Sequence, residues 1–134
     1  MQVKMLDHLN MTVCSVDQTA DWYRRVFGFD VVEEGTYRGR RWSILQSEDA
    51  VLCVYEHPER GSPELAEHGS HGVAHFGLRI DDAAEWVRTV EREHVDVLYD
   101  GPVRWPRSTS WYVSDPNGYE IEVALWHDGY PRFS

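Results

Sequence analysis

Three residues of this chain have the types and settings that metal chemistry needs: His8, His75 and Glu122. Each lies in a run where apolar and polar residues alternate, so its side chains sort onto two faces of a strand. Around His8 the apolar set is Leu9, Met11 and Val13, opposite His8, Asn10 and Thr12. Around His75 it is Phe76, Leu78 and Ile80, opposite His75, Gly77 and Arg79. Around Glu122 it is Ile121, Val123 and Leu125, opposite Glu120, Glu122, Ala124 and Trp126. The apolar sets are expected to pack under helices, which leaves all three candidate donors on the other face. Two imidazoles and a carboxylate suit one divalent ion, and Zn²⁺, Fe²⁺, Mn²⁺, Co²⁺ and Ni²⁺ are all compatible. Three protein ligands also leave coordination positions open for water or substrate.

Taken singly, a histidine or a glutamate on a strand is ordinarily a solvated polar residue. An internal repeat sets these apart. His8 to Val13, Ala20 to Val26 and Phe29 to Val32 read as strand, helix, strand, and so do His75 to Ile80, Ala84 to Val90 and Val95 to Leu98. Each helix has an apolar stripe, expected at Ala20, Tyr23 and Phe27 in the first and at Ala83, Val87 and Val90 in the second. Asp17 and either Asp81 or Asp82 are the expected N-caps. Two further strands follow in each half, Arg40 to Gln46 and Val51 to Tyr55, then Ser110 to Ser114 and Tyr119 to Trp126. The last pair is joined by Asp115-Pro-Asn-Gly118, a strong turn signal. The pattern predicts an α+β domain of two βαβββ modules. Module one spans 1–57, a linker 58–71, module two 72–126 and a C-terminal tail 127–134. If the sheet curls, the polar face lines a cup.

Bulk properties narrow the partners. The net charge of −10 disfavours nucleic acid and anionic membranes. No apolar run approaches the length of a membrane span, and the first residues lack the apolar core of a signal peptide. Cys14 and Cys53 are isolated, as expected of a reduced, cytoplasmic protein. A small molecule is the expected partner. The cluster Arg38, Arg40 and Arg41 reads as a solvated strand edge.

The segments Leu6 to Val13, Trp22 to Phe29, Gly72 to Leu78 and Tyr112 to Glu122 together resemble the vicinal-oxygen-chelate superfamily. That superfamily groups glyoxalase, bleomycin-resistance proteins, fosfomycin-resistance transferases, methylmalonyl-CoA epimerase and extradiol ring-cleaving dioxygenases. The resemblance implies that His8, His75 and Glu122 bind the metal and that two chains pair as a homodimer whose strands close each cup. Departures narrow the choice. Glyoxalase and the epimerase draw a fourth ligand from the last strand of the first module, where this chain offers Leu52 or Cys53. Fosfomycin transferases carry a threonine where this chain has Asn10, and a lysine in the loop that here runs Gly101 to Ser108 without one. Bleomycin-binding members usually lack the triad. Extradiol enzymes place a tyrosine as Tyr112 is placed, ten residues before the glutamate, but their outer histidines have no match at Arg60 and Val103.

The expectation that follows is an Fe²⁺-dependent, extradiol-type oxygenase acting on a small aromatic or catechol-like compound, since two histidines and a carboxylate leave room for both substrate and O₂. Tyr112 is the expected catalytic hydrogen-bond donor or general acid. Asn10, Trp42, Tyr55, Arg79, Trp105 and Trp126 are the expected substrate-binding residues. The alternatives are a Zn²⁺, Mn²⁺ or Ni²⁺ lyase, isomerase or thiol transferase, and a non-catalytic protein that sequesters a drug.

Overall fold

A computed structural model describes residues 1–59 and 71–129. Most of the expected linker and the end of the expected tail lie outside the described residues. The chain divides into two compact units, Met1–Gly61 and Ser62–Ser134.

In the first unit the order is β1 (Leu9–Val13), α1 (Val16–Phe27), β2 (Asp30–Tyr37), β3 (Arg40–Ser47) and β4 (Ala50–Glu56). The four strands form one sheet in the order β1-β4-β3-β2, with β1 parallel to β4 and the other pairs antiparallel. Helix α1 starts one turn signal earlier than expected. Ser15, not Asp17, is its N-cap, accepting from the Gln18 amide, and Glu56 accepts from the Val16 amide at 3.0 Å. Asp17 instead pairs with Arg41 at 2.8 Å. Arg40 pairs with Glu59, so two of the three clustered arginines sit in surface ion pairs. The buried stripe of α1 is Val16, Thr19, Tyr23 and Val26. Of the expected stripe Tyr23 is buried while Ala20 and Phe27 are half-buried; both sets have helical spacing, and the face turned to the core is rotated toward Thr19 and Val26. Met11, Val13, Leu45, Leu52, Val54 and Phe29 complete this core.

The second unit runs β5 (Phe76–Ile80), α2 (Ala83–Glu93), β6 (Asp96–Val97), β7 (Val103–Arg104), β8 (Ser108–Ser114) and β9 (Glu120–Trp126). Its sheet has the order β5-β9-β8-β6, with β7 also on β8. Strand β5 is parallel to β9, as β1 is to β4, so the repeat read from sequence holds in the strand pairing. The expected strand at Val95 to Leu98 is shorter than predicted. It breaks after Val97, and its place along β8 is resumed by β7. Tyr99, Asp100 and Gly101 between them all have positive φ (57°, 63° and 111°), and Pro102 has no amide hydrogen to give to a ladder. Helix α2 is capped by Asp82 and buries Trp86 and Thr89; the expected Val87 is exposed. The two sheets and two helices bear out the α+β class. No helix among the described residues is long and apolar enough to cross a membrane.

The turn after β8 sets the register that matters for chemistry. The buried Asp115 carboxylate accepts from the amides of Asn117 (2.8 Å) and Tyr119 (2.9 Å), and Gly118 takes φ 90°. A glycine meets that φ without steric cost. With the turn locked, Tyr112 faces Glu122 across the hairpin. Asp115→Ala leaves two turn amides without their acceptor and is expected to lower stability by about 1–3 kcal/mol. Urea unfolding of the variant checks this.

Candidate metal centre

The parity of the second sheet places one set of side chains on the face away from the apolar core. Register pairs Gly77 with Glu122, Tyr112 with Glu122, and Arg79 and Ser110 with Ala124. Paired residues point to the same side, so Glu120, Glu122, Ser110 and Tyr112 share a face. On the opposite face Val113, Ile121 and Val123 are fully buried. His75 immediately precedes β5 and keeps its parity with Gly77.

On that face His75 Nε2 lies 3.0 Å from Glu122 Oε2. Glu122 Oε1 accepts from the Ser110 hydroxyl at 2.7 Å, and Tyr112 stands opposite Glu122 across the hairpin. The His75 and Tyr112 rings meet edge to face at 5.6 Å. Burial, then the charge of Glu122, raises the Tyr112 phenol above the usual tyrosine value, so it is a proton donor near neutrality. On the other side of the imidazole, His75 Nδ1 is 3.4 Å from Glu120 Oε2. The carboxylates are nearly buried, at 8% (Glu120) and 12% (Glu122) side-chain exposure, and His75 is the only basic side chain paired with them among the described residues. Two enclosed carboxylates against one imidazole favour a cation beside them.

The pair fits a metal. Bonds of about 2.0–2.2 Å to one ion, at angles between octahedral and tetrahedral, put two donors roughly 2.9–3.4 Å apart. The observed His75–Glu122 separation falls in that range. His8 stands in the first unit, immediately before β1, as His75 stands before β5. Its Nδ1 contacts Asp7 at 2.7 Å, which leaves Nε2 as the nitrogen to offer an ion. Among the described residues no three His, Cys, Asp or Glu side chains form a completed cluster.

The remaining expected residues divide. In the first sheet Asn10 pairs with Cys53, and Thr12 and Trp42 pair with Tyr55, so Asn10, Trp42 and Tyr55 share one face. Trp42 lies so close over Gly35 that a Cβ there would come within 2.6 Å of the indole. The Tyr55 hydroxyl donates to the Tyr37 carbonyl at 3.3 Å. Trp105 is near enough to Tyr112 to oppose the rise of its phenol pKa. Arg79 does not join this group: it donates to the Gly129 carbonyl at 3.0 Å. Trp126 pairs with Ser108, two positions along β9 beyond Ala124. Register also chooses between Leu52 and Cys53. Asn10–Cys53 is the counterpart of Gly77–Glu122, whereas Leu52 is buried in the core. Burial and the charge of Asp7 push the Cys53 thiol up. Sequence reasoning missed Ser110, Glu120 and Tyr99. Glu120 and Ser110 have the strand parity of functional neighbours, which was a usable signal; Tyr99 had none.

Residues 5–123 match the Glyoxalase/Bleomycin resistance protein/Dioxygenase superfamily, and the chain belongs to it. It is 24% identical over 126 residues to a lactoylglutathione lyase of Neisseria meningitidis, covering 91% of each chain. It is 22% identical over 130 residues to the metallothiol transferase FosB of Staphylococcus epidermidis, covering 92% of this chain and 82% of that one. Among solved structures, the glyoxylase/bleomycin resistance protein/dioxygenase domain from Frankia sp. EAN1pec superposes with a TM-score of 0.79 over 96% of each chain, at 14% identity. That likeness is one of fold.

Proposed function

We propose that this chain is a metal-dependent lyase or thiol transferase acting on a small oxygenated molecule or its thiol adduct, with His8, His75 and Glu122 as the metal donors. The observation that carries the reading is the His75–Glu122 contact, enclosed by Ser110 and Tyr112. The names of the relatives favour this class over an iron oxygenase, and the metals this reading takes are the Zn²⁺, Mn²⁺ or Ni²⁺ of the alternative given from the sequence. When bound, the ion would act as a Lewis acid on a substrate oxygen. The chain's own groups do the rest. Glu122 is oriented by the Ser110 hydroxyl. The Tyr112 phenol, kept protonated by burial and by the charge of Glu122, is the group this reading assigns to a developing oxyanion. Asn10, Trp42 and Tyr55 line a face suited to substrate, and a homodimer is the assembly this reading takes.

Tyr112 beside Glu122 also favours a second reading, extradiol-type cleavage of a catechol. Anaerobic purification with metal quantification separates the two. The first expects turnover of an α-ketoaldehyde–thiol adduct, or thiol addition to an epoxide, under argon. That turnover stops with a chelator and returns with Zn²⁺, Ni²⁺ or Mn²⁺. Bound iron with O₂ uptake on catechols would replace it by the second. Tight ligand binding that survives chelation, with no turnover, would replace both by a sequestering protein.

A further inference from the structure

The face that carries His75 and Glu122 holds a second carboxylate for which the metal reading has no use. Glu120 is 8% exposed at its side chain and has no arginine or lysine partner among the described residues. One of its oxygens accepts from the Tyr99 hydroxyl; the other stands 3.4 Å from His75 Nδ1. His75 is therefore flanked, Glu120 at Nδ1 and Glu122 at Nε2.

An imidazole that gives Nε2 to a metal carries its remaining proton on Nδ1, and a carboxylate on that proton fixes both the tautomer and the ring plane. We infer that Glu120 is a positioning residue for His75, and that Tyr99 in turn holds Glu120. The 3.4 Å contact is about 0.5–0.7 Å longer than a charge-assisted hydrogen bond, so in this structure it is an ion-pair contact that a metal on Nε2 would have to draw in. The other histidine supports the assignment. His8 also has a carboxylate at Nδ1, that of Asp7.

The backbone at Tyr99 points the same way. A tyrosine at φ 57°, followed by Asp100 at 63°, occupies a region that bulky L-residues avoid. Here Tyr99 contacts Tyr112 edge to face at 5.5 Å as well as Glu120. The break between β6 and β7 thus delivers a phenol to the carboxylate.

This inference rests on the proposed metal site, so its test uses variants that tell the two apart. Zinc affinity is measured by competition with a chromophoric chelator on the full chain, with thermal unfolding of each metal-free variant as the fold control. Glu120→Ala is expected to weaken zinc binding about 10–100-fold, the range seen when outer partners of a ligating histidine are lost. Glu120→Gln keeps a carbonyl acceptor for Nδ1–H and is expected to restore most of that loss. A long-range ¹H–¹⁵N spectrum of the zinc-loaded protein should show the proton on Nδ1 of His75, and Glu120→Ala should broaden or shift it. Should Glu120→Ala fail to fold, Tyr99→Phe, which keeps the ring, is expected to weaken binding several-fold. If neither change weakens zinc binding by more than about twofold while His75→Ala loses it, the positioning role is wrong and the metal site stands. If His75→Ala binds zinc as the natural chain does, both fall.

Discussion

Glu122→Ala is expected to remove metal binding and activity together while leaving the second unit folded. The carboxylate is the point on which His75 and Ser110 converge, so its loss takes a donor from the ion and a partner from each of them. Loss of an outer partner of a ligating histidine costs about 10–100-fold in affinity, and loss of a ligand itself is expected to exceed about 100-fold. Core burial of Ile121 and Val123 on the opposite face of β9 does not depend on the carboxylate. Metal content after dialysis and the thermal midpoint of the metal-free protein measure the two effects separately. A variant that retains one bound metal per chain at wild-type affinity would overturn the proposed donor set.

His8→Ala is expected to show the sharpest split between stability and function. Its side chain is 44% exposed and contacts the exposed carboxylate of Asp7. Surface substitutions of this kind change stability by about 0.5 kcal/mol or less. If His8 supplies the third donor, metal affinity and turnover should nonetheless fall by about 100-fold or more, as for Glu122. Urea unfolding and metal competition on the same preparation decide the matter. Unchanged turnover would remove His8 from the site and leave the His75–Glu122 pair as the centre.

Much of this was legible in the chain itself because local signals carry it. Strand alternation put His8, His75 and Glu122 opposite their apolar neighbours, and that parity follows from the pleat alone. The Asp115 to Gly118 turn was legible because a short polar side chain and a glycine are what its backbone requires. The N-cap of α1 was misplaced because Ser15 and Asp17 are both good caps. The choice fell to the residue that leaves Val16, Thr19, Tyr23 and Val26 facing the sheet.

Other features depend on pairings between distant segments. Glu120 and Glu122 have identical parity, and nothing local says which one meets His75 Nε2. The parallel register of β5 on β9 brings both carboxylates to the His75 ring, and the ring's orientation then sets Glu122 beside Nε2 and Glu120 beside Nδ1. The same kind of register, β1 on β4, turns Cys53 rather than Leu52 to the polar face. Arg79 had the right parity but spends its guanidinium on the Gly129 carbonyl, fifty residues away in sequence. Tyr99 reaches Glu120 only because the edge strand breaks and the backbone turns left-handed. Residue type and period-two spacing thus name the face on which chemistry can occur. Long-range strand register, which no single segment encodes, decides which atoms on that face touch.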